Sequence, residues 1–333
     1  MLLFAAALLA AEAPPLPKAT LNDDISHFAS GVRMAMMADT NGTAAAPHED
    51  LRYIDNGIVK LGIDLARGGS IGFWGLSGSD TNLVNCHDMG REIQLSFYAG
   101  PSFYNPGDKC DKIYIPGKEW PWNPIGAGDC KGHASTVDKL DVTATTAHVV
   151  TTPLQWGCDN VPCECKFEQS ITLGGPGNTG AKISATLHNS RSDTTVYPPL
   201  NQELPALYTT GTYYRLITTS GGNVVELDSQ WPPQQFTADE NWAALVDKSG
   251  FGMGIVGFDT QTFAGGFTDP SKKGTGGPHD FQTGYIAPYK AMSLPAQGTY
   301  GFTFWLVLGD IDTIRAYAQQ VRPSGSSTPE RET

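Results

Sequence analysis

Positive charge is scarce in this chain. Among its 333 residues Lys and Arg number 22 against 34 Asp and Glu, a formal balance of −12 with His neutral, and such a surface repels phosphate backbones. Nucleic acid is therefore not an expected partner. Charged residues of both signs make up only 17% of the sequence while Gly (38) and Pro (23) are abundant, which leaves little material for a coiled coil or helical bundle. No apolar run reaches the roughly 18 to 20 residues that a membrane-crossing helix requires. Catalytic signatures are missing as well: there is no GxSxG elbow, no HExxH pair, no phosphate-cradling loop and no dinucleotide fingerprint. The seven His are scattered along the chain, so a three-His metal centre would need convergence in space.

The longest apolar run, Met1 to Ala10, is followed by Ala11-Glu12-Ala13, a small-x-small pattern for signal peptidase. Residues 1–13 thus read as a secretory signal, even without a Lys or Arg just after Met1. Two features agree with an extracellular address: an acceptor sequon at Asn41-Gly42-Thr43 and an even set of six Cys. These are Cys86, Cys110, Cys130, Cys158, Cys163 and Cys165, and the x4 then x1 spacing of the last three departs from the paired CxxC knuckles of thiolate zinc sites. Disulfides are the expectation, with Cys110–Cys130 as the preferred pair.

From Leu51 onward the text becomes short alternating runs rich in β-branched and aromatic residues, separated by Gly, Asp, Asn or Pro, among them IVKLGIDL, SIGFWGL, REIQLSFYAG, AKISATLHNS and TYGFTFWLVLGD. In KISATLHNS, Ile183, Ala185 and Leu187 share one face while Lys182, Ser184, Thr186 and His188 share the other. DKLDVTATTAHVVTT alternates in the same way. Eleven or more such runs with almost no amphipathic helix between them predict an all-β fold, a large antiparallel β-sandwich. One short C-terminal helix is expected at Ile311 to Gln320, capped by Asp310. Residues 14–50 read as an N-terminal extension with a short helix at Ser30 to Ala38, residues 51–322 as one sandwich domain, and residues 323–333 as a disordered tail.

Four segments combine polar and aromatic residues beyond what a sandwich core requires. HDMGREIQLSFYAGP sets Arg91, Gln94 and Tyr98 near an exposed strand face, where Arg91 could fork onto a carboxylate or sulfate or simply pair with a neighbouring Glu. EWPWNPIGAGDC places Trp120 and Trp122 two residues apart with Asn123 and Asp129 behind, and flat indoles suit the C–H faces of pyranose rings, unless they only pin the loop. HNSRSDTTVYPPLNQELPALYTTGTYYRL carries His188, Glu203, Tyr208 and Tyr213; Glu203, between apolar neighbours, is the best candidate for a carboxyl with a raised pKa. DENWAALVDKSGFGMGIV puts Glu240, Asn241 and Trp242 at the rim of a strand, though Trp242 could equally be core. No cofactor is expected; calcium alone could find ligands, in Asp129, Asp159 and Asn160.

A strand pair with Gly68-Gly69-Ser70-Ile71, the returning strand LHNSRSDTT followed by a polar-rich one, and FTFWLVLGD before a short helix resemble the galactose-mutarotase-like β-sandwich. Sugar epimerases, several glycoside hydrolases and several polysaccharide lyases share that fold. The phrases GREIQLSFYAGP, WPWNPIGAGD, QELPALY, ENWAALVD and TGYIAP also resemble secreted sandwich proteins of carbohydrate-active type, over about Leu51 to Tyr317. In mutarotases the resemblance implies a His acid and a Glu base on a wet concave sheet face. Here Glu203 stands where the acid His is expected and the HxYFNL-type sequence is absent, which argues against simple aldose epimerisation. The expectation is a secreted enzyme cleaving a polysaccharide or oligosaccharide, with β-elimination on a uronate slightly favoured. Arg91 would neutralise the carboxylate, helped by a basic patch of Lys109, Lys112 and Lys118, while Tyr208, Tyr213 or His188 removes the C5 proton. The alternatives are hydrolysis by Glu203 paired with Asp129 or Glu240, and a non-catalytic sugar-binding cell-surface protein stacking ligand on Trp120, Trp122 and Trp242.

Overall fold

The computed structural model describes residues 16–19, 50–99, 122–192 and 196–323. The signal segment, the Asn41 sequon, the helix expected at Ser30 to Ala38, Cys110, Lys109, Lys112, Lys118, Trp120 and the tail from Ser324 lie outside the described residues. Within them the alternating runs form two sheets. The first runs in the order β1 (Lys18–Ala19), β14 (Asn223–Leu227), β13 (Arg215–Ser220), β16 (Trp242–Val246), β17 (Phe251–Gly257), β20 (Gln297–Asp310), β11 (Gly180–Ser190), β10 (Cys165–Gly174), β8 (Thr146–Thr152), β7 (Thr136–Val142). The second runs β15 (Gln234–Thr237), β18 (Thr262–Phe267), β19 (Thr283–Met292), β12 (Leu200–Thr210), β5 (Ile93–Ser96), β4 (Ser70–Leu76), β3 (Val59–Asp64), β2 (Leu51–Asp55), and β6 (Pro124–Ile125) and β9 (Leu154–Gln155) branch from β5. Described pairings are antiparallel except that of β1 with β14.

The two sheets pack face to face. In β11 the period of two decides the matter: Ile183, Ala185 and Leu187 are buried, Lys182 and Ser184 exposed. Their inner face meets Ile93 and Leu95 of β5 and the following Phe97 in one apolar cluster, where Phe97 stands edge-on to Phe167 with ring centroids 5.4 Å apart. Each such side chain contributes about 1.5–3 kcal/mol by leaving water. DKLDVTATTAHVVTT differs from its expected single run. It is a hairpin, turned where Thr143 N–H donates to Thr146 O at 2.9 Å, and because β7 is an edge strand Val142 stays 40% exposed.

Each sheet also has a second face. On the first sheet, α1 (Ile311–Val321), capped by Asp310 whose carboxylate accepts Thr313 N–H at 2.8 Å, covers Trp242, Val246, Val256 and Val307 with Ile314 and Tyr317. A Cβ at Gly254 would lie 2.4 Å from Ile314 Cγ2, so glycine permits this close approach. The β8, β10 and β11 side of the same face is polar. On the second sheet the face turned from the core carries its own aromatic cluster, Ala206, Tyr208, Ala264, Tyr285, Ala287 and Tyr289. Cys163 and Cys165 are joined in a disulfide and Cys158 is disulfide-bonded as well, not held as zinc thiolates. Among the described residues no helix is long and apolar enough to cross a membrane.

Candidate functional site

Glu203 reaches that aromatic face because β12 is irregular. At a strict period of two, Glu203 and Tyr208 would point to opposite faces. The register of β12 against β19 and β5 shifts after Glu203, so an extra residue is taken up around Pro205, which lacks an N–H and is tolerated at a bulge. Leu204 and Leu207 then both enter the core between the sheets, while Ala206 and Tyr208 face outward with Glu203.

Around the carboxyl, which is 4% exposed, phenols gather. Tyr98 donates to Glu203 Oε2 at 2.9 Å and Tyr285 to Oε1. Tyr289 lies 2.9 Å from the Tyr285 hydroxyl; since Tyr285 spends its proton on the carboxylate, Tyr289 is the donor of that pair. Tyr208 and Tyr285 have ring centroids 5.0 Å apart. Burial raises the Glu203 pKa above that of an ordinary glutamate, although hydrogen bonds from Tyr285, Ser96 and Tyr98 pull against it. Burial and then the Glu203 charge push Tyr98, Tyr208, Tyr285 and Tyr289 well above the usual phenol value. The phenols therefore stay protonated as donors, and the carboxyl is the one group of the five whose shift is toward neutrality and not away from it.

Arg91 stands on the same face. Its Nε lies 3.3 Å from Asp88 Oδ2, Nη1 donates to Asn85 Oδ1 and to Asp280 O, each at 3.2 Å, and the guanidinium sits 5.2 Å from the Phe281 ring centroid. Beyond burial, the Tyr208 phenol responds to the charges of Glu203, Asp88 and Arg91. Gln94 is on this face too but its amide is used internally. It donates to Met89 O at 3.1 Å and Arg91 O at 2.7 Å and accepts from Ala127 N–H at 2.7 Å, so it fixes the turn that carries Arg91.

The structure thus brings together Arg91, Gln94, Tyr98, Glu203 and Tyr208. It does not bring the remaining expected residues to them. His188 lies on the polar face of the first sheet, 2.7 Å from Glu168. Tyr213 is in the core between the sheets, where burial lifts its phenol to about 12. Trp122 is 0% exposed in that same core, with Arg191 5.4 Å from its ring centroid. Asn123 is buried, donating to Phe97 O at 2.9 Å and Ser96 Oγ at 3.3 Å, and so backs the site without facing it. The Asp129 carboxylate accepts Lys131, His133 and Asn160 backbone N–H groups at 2.9, 3.0 and 2.7 Å and meets the His133 ring at 2.9 Å. The carboxylate is thus engaged by protein groups on both oxygens, and among the described residues no three His, Cys, Asp or Glu are grouped to hold a metal.

Glu240, Asn241 and Trp242 belong to the helix-covered face of the first sheet. Asn241 donates to Thr260 O at 2.9 Å, and Glu240 takes Arg315 of α1 in two bonds of 2.9 and 2.6 Å. Although burial opposes it, Arg315 holds the Glu240 carboxyl below the ordinary range. The pair therefore stabilises the fold above the unfolded glutamate value and loses that contribution as pH falls through the folded one. Arg315→Ala is expected to cost on the order of 1 kcal/mol, being partly exposed, in urea denaturation at neutral pH, and to lose less on acidification than the wild type.

Three residues of the site, Tyr285, Tyr289 and Trp231, were not among those expected. The signal for the first two was present in TGYIAPYKAM, where Tyr285, Ala287 and Tyr289 share one face of a strand whose other face is also apolar. Trp231, half-buried, stands edge-on to Tyr285 with centroids 6.3 Å apart.

No family model matches the chain, and no curated protein sequence matches it. Among solved structures it is similar to an aldose 1-epimerase candidate from Escherichia coli K12, at 10% identity and TM-score 0.50, covering 78% of this chain and 99% of that one. It also aligns with a galactose mutarotase-like protein from Clostridium acetobutylicum (9% identity, TM-score 0.46, 78% and 95% covered). An aldose 1-epimerase candidate from Klebsiella pneumoniae subsp. pneumoniae aligns as well (12% identity, TM-score 0.44, 80% and 81% covered). The fold is a galactose-mutarotase-like β-sandwich, and at these identities the likeness is one of fold.

Proposed function

We propose that this chain is a secreted carbohydrate-active enzyme that cleaves a uronate-containing polysaccharide by β-elimination on the outer face of its second sheet. The observation that carries the reading is one buried carboxyl, Glu203, that accepts from the Tyr98 and Tyr285 phenols, with Tyr289 bonded to Tyr285. In this assignment Arg91 neutralises the uronate carboxylate and acidifies the C5 proton. The Glu203 carboxylate removes that proton, the electron pair forms the C4–C5 double bond, and the C4–O bond breaks. The leaving oxygen takes a proton from a phenol, assigned to Tyr208, which senses the charges of both Glu203 and Arg91, and that phenol is restored from Glu203 or water. The proton-abstracting role passes from Tyr208 to Glu203 because the raised phenol makes Tyr208 a poor base and leaves it a donor. Hydrolysis loses its support: Asp129 and Glu240, its second carboxyl groups, are committed elsewhere. The stacking-platform alternative likewise loses Trp122 and Trp242, both wholly buried.

Incubation of purified protein with a panel of neutral and acidic glycans tests this reading. Ultraviolet-absorbing unsaturated ends are expected from a uronate polymer, with a loss of about a hundredfold in Tyr208→Phe and none in His188→Ala. New reducing ends without that absorbance would replace elimination by hydrolysis, and anomer exchange of free hexose alone would replace it by epimerisation.

A further inference from the structure

Among the described tryptophans, Trp74, Trp122 and Trp242 are 0% exposed and Trp156 is 2% exposed, while Trp305 packs on Phe258, centroids 5.5 Å apart, beside the C-terminal helix. Trp231 is the half-buried indole on the Glu203 face, lying against the cluster of Ala206, Tyr208 and Tyr285. Its contact with Tyr285 is edge-on, at an interplanar angle of 79°. An edge-on contact uses at most one face of the indole, so the other is left open by Tyr285.

The segment that carries it is fixed by its backbone. Ser229 Oγ donates to Tyr214 O at 2.7 Å and Phe267 N–H donates to Gln230 O at 3.2 Å. A Cβ on Gly266 would fall 2.3 Å from Gln230 O and 3.0 Å from Pro233 Cα, so a glycine in β18 is what lets the segment lie so close. An indole set in place before ligand arrives loses little entropy on binding, and its flat apolar face matches the C–H face of a pyranose.

We infer that Trp231 is a sugar-stacking subsite, taking the pyranose unit next to the one whose linkage lies over Glu203. The substrate class it selects is a chain of at least two pyranose units with an accessible C–H face, in place of a free monosaccharide. This rests on reading the Glu203 face as a carbohydrate site.

The test uses short oligouronates. Binding is measured by calorimetry on the full chain carrying Glu203→Gln, with and without Trp231→Ala, and KM and kcat are measured for Trp231→Ala, Trp231→Phe and Gly266→Ala with Glu203 intact. Trp231→Ala is expected to weaken binding on the order of thirtyfold, raising KM far more than it lowers kcat. Trp231→Phe should keep most of the affinity, and Gly266→Ala should weaken it by displacing the segment. Unchanged binding and KM in a folded Trp231→Ala protein, with turnover still abolished by Glu203→Gln, would overturn the subsite and leave the enzyme reading intact. Wild-type protein that neither binds nor converts any glycan would overturn both.

Discussion

Replacing Glu203 by Gln removes about three orders of magnitude of turnover, the scale of a positioned acid–base group, and leaves the fold intact. Shape survives the change and so does one of the two bonds: Tyr98 and Tyr285 donate to different oxygens of the carboxylate, of which the amide keeps one as acceptor, while the other phenol can accept from the new NH2. Thermal stability at neutral pH does not fall with activity. Burial holds the folded pKa of Glu203 above its unfolded value. The stability it contributes is therefore fully present below about pH 4.3 and is lost as pH rises through the folded pKa. The wild type should lose stability across that window, and Glu203→Gln should not. Activity has the opposite sign, because the base must be ionised: the rate falls as pH drops through the folded pKa. Tyr285→Phe deletes one donor to the carboxylate, so its acid limb should move to higher pH. Paired pH–rate profiles and melting curves check all three statements. Full turnover by Glu203→Gln would remove Glu203 from the chemistry.

Arg67→Met should have the largest effect on stability. Arg67, Asp64 and Glu92 are each 0% exposed, with Arg67 Nε 3.6 Å from Asp64 Oδ2 and 3.4 Å from Glu92 Oε1. Burial already lifts the Asp64 carboxyl. Without the guanidinium two buried carboxyl groups lose their counter-charge, at a cost of about 3–5 kcal/mol. Asp64 should then hold its proton more tightly still, so the variant recovers stability toward acid pH and loses it as pH rises. Denaturant titration at two pH values measures this; a cost below about 1 kcal/mol at both would show the cluster is not acting as coupled charges. The damage should extend to activity. Arg67 Nη1 donates to Asp88 O at 2.9 Å, and Glu92, held at a left-handed φ of 72°, accepts Tyr208 N–H at its carbonyl at 3.1 Å. The cluster thus supports the Asp88–Arg91 turn and the strand position of Tyr208 together.

The sandwich was legible because alternation is a local property. Ile183, Ala185 and Leu187 announce their face within seven residues, and Asp310 before Ile311 announces a helix start. The site was legible only in pieces. Arg91, Tyr98, Glu203 and Tyr208 stand in the sequence as polar or phenolic residues among apolar neighbours, and all four are buried. His188 misled because a wet strand face looks the same on either sheet, and only the pairing of β11 with β20 assigns it to the first. Trp122 and Trp242 are buried, Trp242 as the core alternative had it; an indole beside a turn reads as exposed until the element that covers it is known, here the opposing sheet for one and α1 for the other. The irregularity at Pro205, which puts Glu203 and Tyr208 on one side, depends on hydrogen-bond register and has no signature in periodicity.

The position of β20 bears on how such a chain is made. It is the last of the described strands in sequence, yet it sits between β11, along Gly180 to Ser190, and β17, along Phe251 to Gly257. On the ribosome both of those neighbours emerge well before it, each with one row of amide and carbonyl groups waiting for a strand not yet translated. The two halves of the first sheet can be joined only after Asp310 has left the exit tunnel. Until then they present open hydrogen-bonding borders to whatever else is nearby, and completion of the first sheet waits on a late, non-local pairing.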